Sequence, residues 1–182
     1  MARKETISKL DILSAAFEMT KEEGLDKVTA RRLATKIGCS TQPIFRVYKS
    51  MEDLYDEVYE QAVEFYNIFF TQFESVSKTP FVNLGMAYLE FASTHPKLFQ
   101  LLFLDKSVQG KSLYELLNGN AQSLTQEITN TANDGAKDPQ RVFMKMWIFI
   151  HGSACMIITK EFDLTREQSI DLLEETYFSF KE

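Results

Sequence analysis

Glycine and proline are scarce in this chain, with seven and four copies in 182 residues. That scarcity, beside long runs rich in Leu, Ala, Glu and Lys, favours an all-helical protein, and no stretch shows the polar–apolar alternation of a strand. Cysteine is scarcer still. Cys39 and Cys155 are too few for a disulfide framework and make no metal-ligand spacing. Only two histidines, His95 and His151, are present for acid–base work. No nucleophile–base–orienter set, metal cluster or phosphate loop accompanies them, so neither an enzyme nor a cofactor is expected. The N-terminal MARKETISKLD has no apolar stretch after its charges and does not read as a signal peptide. The most apolar run, Val142 to Ile158, includes Lys145, His151, Gly152 and Ser153. A membrane span needs about 20 apolar residues, so this run is expected to be a buried helix and the chain to be cytoplasmic, with no membrane partner.

One more absence is local. From Lys27 to Met51 there is no aspartate or glutamate, yet the segment holds six lysines and arginines. The whole chain is acidic, at net −6. Residues 1–50 carry ten basic and six acidic side chains, while residues 51–182 carry ten basic and twenty acidic. A basic head on an acidic body suits local contact with a polyanion. What is abundant is apolar: 45% hydrophobic residues and 15 phenylalanines predict a folded globule with a sound core.

About nine helices are expected. Ser8-x-x-Asp11 caps the first, with Leu10, Leu13 and Phe17 on its inner face and Gly24 at its end. Thr29 caps a second short helix, with Leu33, Ala34 and Ile37 inward and Gly38 closing it. A third runs from about Thr41 to Tyr48, tolerating Pro43 in its first turn. Ser50-x-x-Asp53 opens a long fourth helix with Leu54, Val58, Ala62, Phe65, Phe69 and Phe73 on one face. Thr79-Pro80 starts a fifth, His95-Pro96 a sixth through Phe103, and a seventh covers roughly Lys111 to Thr131. After the NDGAKDP loop, Asp138-Pro139 begins an eighth, and Thr165-x-x-Gln168 caps a ninth with a stripe of Ile170, Leu173, Tyr177 and Phe180.

Helix, glycine-containing turn and second short helix make a helix-turn-helix. In such a unit the second helix enters the DNA major groove with its N-terminal residues first. Thr41 and Gln42 can then read base edges, and Pro43 can meet a thymine methyl. Arg31 and Arg32 can reach a phosphate or a guanine, while Arg46, Tyr48 and Lys49 suit phosphates. The alternatives are an enzyme using His151 or His95, and a helical small-molecule-binding or interaction protein without DNA. The first lacks catalytic partners and the second leaves the acid-free segment unexplained.

Ile12-Leu13-Ser14-Ala15-Ala16, Gly24, Thr29, Leu33-Ala34, Lys36-Ile37-Gly38 and Phe45-Arg46-Val47-Tyr48-Lys49-Ser50 follow one another in order. Over these first 60 or so residues the chain resembles the DNA-binding domain of the TetR family of transcriptional regulators. The resemblance implies a three-helix DNA-binding domain at 1–50, contacted through Thr29 and Phe45 as well, and a ligand-binding and dimerisation domain at 51–182. Three positions depart from the family pattern. Phe45 stands where a phosphate-binding Tyr is usual, Met51 where a Lys is usual, and Thr20 where a Phe is usual. This head is therefore expected to lean on Arg31, Arg46 and Lys49.

A second resemblance lies further on. Tyr88-Leu-Glu-Phe91-Ala92-x-x-His95-Pro96-x-x-Phe99-x-x-Leu102-Phe103, then Trp147-x-x-x-His151-Gly152, is similar to a TetR subgroup carrying a Trp-x-x-x-His-Gly motif. Trp147 and His151 share a helix face. They either line a ligand pocket, with His151 as its polar handle, or pack, with Gly152 allowing a close helix approach. Phe65, Phe69, Tyr88, Phe91, Phe99 and Phe103 divide likewise between core and cavity. A pocket so lined favours an apolar or aromatic small molecule, cationic ones included. The eighth helix, apolar nearly all round, is expected to pair with the ninth across a two-fold axis in a homodimer. Two such heads read a palindromic double-stranded DNA operator.

Overall fold

The computed structural model describes residues 7–105 and 128–181. Among these every regular element is a helix, so the fold is all-α as expected. Helix α1 (Lys9–Glu23) begins at a complete capping box. Ser8 Oγ accepts from the Asp11 amide at 3.1 Å, and the Ser8 amide donates to the Asp11 carboxylate at 2.8 Å. Its inner face differs from the expected stripe, because Leu10 is 69% exposed. Ile12, Ala16, Met19 and Thr20 turn inward with Phe17. Both stripes have helical spacing, and packing against α2 and a 3-10 turn at Leu25–Lys27 selects the second.

Helix α2 (Ala30–Ile37) is capped by Thr29 and buries Leu33 and Ala34. Gly38 ends it at φ 78° and ψ 34°. A side chain in that left-handed conformation costs about 1–2 kcal/mol. The chain then turns into α3 (Gln42–Val47), which buries Ile44. Helix α4 (Met51–Thr71) opens at the Ser50–Asp53 pair, with reciprocal amide bonds of 3.1 and 3.2 Å. Leu54, Val58 and Ala62 form its buried stripe, and Phe73 lies beyond its end.

Helix α5 (Pro80–Thr94) is followed by α6 (Pro96–Phe99), which widens into a π turn at Gln100–Leu104. The sequence predicts one uniform helix here; the i to i+5 bond from the Asp105 amide to the Gln100 carbonyl, 2.8 Å, marks the difference. The expected seventh helix lies mostly outside the described residues, of which 128–133 are helical. Helix α7 (Pro139–Thr159) is capped by the Asp138 carboxylate, and α8 (Arg166–Lys181) by the Thr165–Gln168 pair.

The described residues form two compact units. Residues 7–66 and 97–105 make one, and residues 67–96 and 128–181 the other. In the second, α5, α7 and α8 pack around Phe81, Tyr88, Phe91, Met146, Ile150 and Tyr177, all at most 2% exposed. Gly85 lets them close up: a Cβ there would lie 3.0 Å from Ile150 Cδ1 and 3.1 Å from Leu173 Cδ1. Helix α7 is long and apolar enough by length and composition to cross a membrane. Here Val142, Phe143, Met146, Trp147, Ile150 and Ala154 give it a buried face within this bundle.

Candidate functional site

The helix-turn-helix presents most of its polar residues outward. Arg31, Arg32, Thr41, Gln42, Phe45, Arg46 and Lys49 are exposed, Pro43 is half-buried and Thr29 is exposed at its cap. Thr41 makes no side-chain bond to the start of α3, so its hydroxyl is not engaged in capping. Thr29 does cap, its Oγ1 accepting from the Arg32 amide at 3.4 Å. Phe45 is 49% exposed at the surface of α3.

Tyr48 differs from the expected phosphate contact. It is 3% exposed, and its hydroxyl donates to Glu57 Oε2 at 3.0 Å. Burial, then the Glu57 carboxylate, pushes the phenol well above its ordinary value of 10.0, so it stays a neutral donor. Tyr48 belongs to the core of the head. Glu57 also holds Lys9 at 2.6 Å, and Tyr55 Oη donates to the Val28 carbonyl at 2.6 Å. Through these two residues α4 grips α1, α3 and the start of α2. No periodicity links Glu57 to Tyr48, so nothing in the sequence pointed to that contact.

The six basic residues of the acid-free segment divide in half. Lys27 pairs with Asp26 at 2.6 Å and Lys36 with Glu22 at 3.4 Å. Arg32 holds both oxygens of Glu23 at 2.8 and 2.9 Å and donates to the Lys27 carbonyl at 3.2 Å. Its guanidinium thus fastens α2 to the end of α1. Arg31, Arg46 and Lys49 have no carboxylate partner among the described residues. A cation without a carboxylate partner gives up no ion pair when it meets an external anion, whereas a paired one must exchange a contact, at a cost of up to about 1 kcal/mol for an exposed pair.

In the second unit Tyr88, Trp147 and His151 come together. Tyr88 Oη lies 3.0 Å from His151 Nδ1, and the Trp147 and His151 rings stack with centroids 6.1 Å apart. Cys155 Sγ lies 3.7 Å from His151 Nε2. Burial pushes the His151 pKa below its ordinary 6.5, so the ring is neutral near pH 7. Trp147 is 5% exposed, and its Nε1–H has no hydrogen-bond partner among the described residues. Phe69 meets Phe91 and His95 at 5.3 and 5.7 Å between centroids. It also lines a cavity of about 340 Å³ with Gln72, Phe73, Glu74, Glu90 and Arg166. In the first unit Phe65 meets Phe17 at 5.8 Å, and Phe103 meets Phe99 and Tyr66 at 4.9 and 5.2 Å. Tyr88, Phe91 and Phe99 are fully buried, whereas Phe65, Phe69, Phe103 and His151 keep partial exposure.

Residues 12–58 match the family described as bacterial regulatory proteins, tetR family. Residues 81–177 match the tetracyclin repressor-like C-terminal domain. No curated protein matches the chain. Among solved structures, a protein of unknown function from Rhodococcus sp. RHA1 is 18% identical, covering 100% of both chains at a TM-score of 0.72. A TetR-like transcriptional regulator from the same organism is 13% identical, covering 97% of this chain and 96% of that one at 0.63. A TetR variant from Acinetobacter baumannii AYE in complex with minocycline is 15% identical, covering 96% of both at 0.56.

Proposed function

The chain belongs to the TetR family of bacterial regulatory proteins, and from that premise we propose that it is a dimeric repressor released from a palindromic operator by a small molecule. That it is a DNA-binding transcriptional regulator follows from the family; the repressor role, the contact set and the effector are our reading. The division of the basic residues carries it. Arg31, Arg46 and Lys49 remain available on one helix-turn-helix, beside the exposed Thr41, Gln42 and Phe45. We assign Arg31, Arg46 and Lys49 to phosphates, Thr41 and Gln42 to base edges, and Pro43 and Phe45 to apolar contact with thymine methyls. Arg32 contributes by holding α2 in place.

For dimerisation we propose the exposed stripe Met144–Ile148–Gly152–Met156 on α7, with Phe178 of α8. Met144, Ile148 and Met156 are 52%, 65% and 45% exposed, and a Cβ on Gly152 would meet nothing within 4 Å. These four positions are spaced by four and so form one face. An apolar face with a glycine in it suits close approach of a second helix. Joining two subunits there would set two recognition helices roughly 34–36 Å apart or a multiple.

For the effector we propose an apolar or aromatic molecule near Trp147 and His151, within the subgroup that the Trp147-x-x-x-His151-Gly152 motif marks. A buried indole N–H with no partner among the described residues supports a ligand that offers a hydrogen-bond acceptor. Helix α4 carries Tyr55 and Glu57 in the head and continues to Thr71, which suits it to pass an effector's influence to the DNA contacts. Such coupling is typically about 1–3 kcal/mol and reciprocal. We place the protein in the cytoplasm, where its DNA is.

A gel shift with the DNA upstream of the protein's own coding sequence tests the reading. A retarded band at low salt, lost on raising salt, is expected. A folded protein that retards no DNA at low salt sinks it.

A further inference from the structure

The start of α7 and the end of α8 border an open cleft of about 190 Å³, lined by Lys137, Asp138, Arg141, Val142, Lys145, Phe180 and Lys181. Its charge runs against its surroundings. Residues 51–182 hold twenty acids and ten bases, yet four of those ten bases line this one cleft beside a single carboxylate. Lys181 Nζ is 2.7 Å from Asp134, which also accepts from Tyr177 Oη at 3.0 Å. Asp138 already serves the helix, accepting from the Arg141 amide at 3.1 Å. The Arg141 guanidinium has no carboxylate partner among the described residues. The Lys145 ammonium lies 4.9 Å from the centre of the Phe180 ring.

We propose that this cleft is a binding site for a small organic oxyanion with an apolar body, separate from the Trp147–His151 site. Among the described residues, even with both nearby carboxylates counted, cations outnumber anions, so the local field favours an anion that the rest of the domain repels. Arg141 offers a planar fork matched to a carboxylate or phosphate, with Lys145 as a second point charge. Val142 and Phe180 supply apolar wall for the remainder of the ligand. The volume equals about six water molecules at liquid density, which suits a body the size of one ring.

The test uses the full chain and three probes: benzoate, phenyl phosphate and inorganic phosphate, each titrated by calorimetry at constant ionic strength set with chloride. Saturable one-to-one binding of benzoate or phenyl phosphate is expected, tighter than inorganic phosphate. Arg141→Gln and Lys145→Gln, both altering side chains outside the core, should each weaken it about tenfold, the usual scale for a charge-assisted hydrogen bond. Circular dichroism checks that both variants fold. His151→Ala should leave the binding unchanged, which separates this site from the proposed effector site. The two ring-bearing probes tell a carboxylate preference from a phosphate preference. Absence of saturable binding overturns the proposal. So does binding that both glutamine variants retain.

Discussion

The two regions with candidate chemistry treat their informative residues in opposite ways. In the helix-turn-helix, the residues expected to act lie outside: of Arg31, Arg32, Thr41, Gln42, Phe45, Arg46, Tyr48 and Lys49, only Tyr48 is buried. In the second unit Tyr88, Phe91 and Trp147 are buried, and their first role is to hold α5 and α7 together. A DNA-reading surface must stay solvated until the polyanion arrives, so exposure itself marks its members. A pocket for an apolar molecule is made of the same residue types as the core, and burial does not separate the two.

Substitutions can sharpen or break that contrast. The largest effect is expected in the second unit, where Phe81→Ala should cost about 3–5 kcal/mol of stability in urea denaturation, because a fully buried ring leaves a cavity. A cost below 1 kcal/mol there would show the bundle to be loosely packed. In the head, Arg46→Ala or Gln42→Ala should weaken operator binding by about 1–3 kcal/mol, with melting unchanged within about 0.5 kcal/mol. Gln42→Ala should also relax base preference at one position, which Arg46→Ala should not. A matching loss of stability would move either residue to the structural side.

Smaller still, Arg32→Ala should reverse that pattern. It should lower stability by up to about 1 kcal/mol, since it loses an exposed bidentate pair, and affect DNA binding mainly through folding. Arg32→Ala losing DNA affinity at full stability would return Arg32 to the contact surface. The shallowest effect concerns pH. Burial lowers the His151 pKa in the folded chain, so its contribution to stability is full above about pH 6.5 and fades as pH falls through the folded value. The lowered carboxyls of Asp11, Asp134 and Glu167 lose their contribution only lower, beneath their ordinary 3.8 to 4.5. Urea midpoints between pH 7 and 5 should therefore decline in the wild type and stay flatter in His151→Gln.

Most of the head was legible because its signals are local. A serine with an aspartate three residues on fixes a helix start, and Gly38 fixes an end, so Ser8, Thr29, Ser50 and Thr165 all open helices where the sequence puts them. What escaped depends on distant partners. Leu10 and Ile12 both fit a helical stripe, and only the packing against α2 decides between them. Tyr48 reads as a DNA contact until Glu57 is seen to take its hydroxyl, and the ion pair of Arg32 with Glu23, likewise nine residues away, has no local signal either. The π turn after Phe99 has no composition that announces it. In the second unit the Trp147–His151 pairing was legible from its spacing, whereas Tyr88, 63 residues from His151, entered only through a motif.

We propose that Arg31, Arg46 and Lys49, three cations without a carboxylate partner among the described residues, give an acidic protein its hold on DNA. The most direct measurement is the salt dependence of binding, by fluorescence anisotropy on the upstream fragment, for the wild type and the triple alanine variant of these positions. The wild type should show a steep fall of log affinity with log salt, and the triple variant a slope shallower by about one for each phosphate contact removed. An unchanged slope in a folded triple variant would contradict the account.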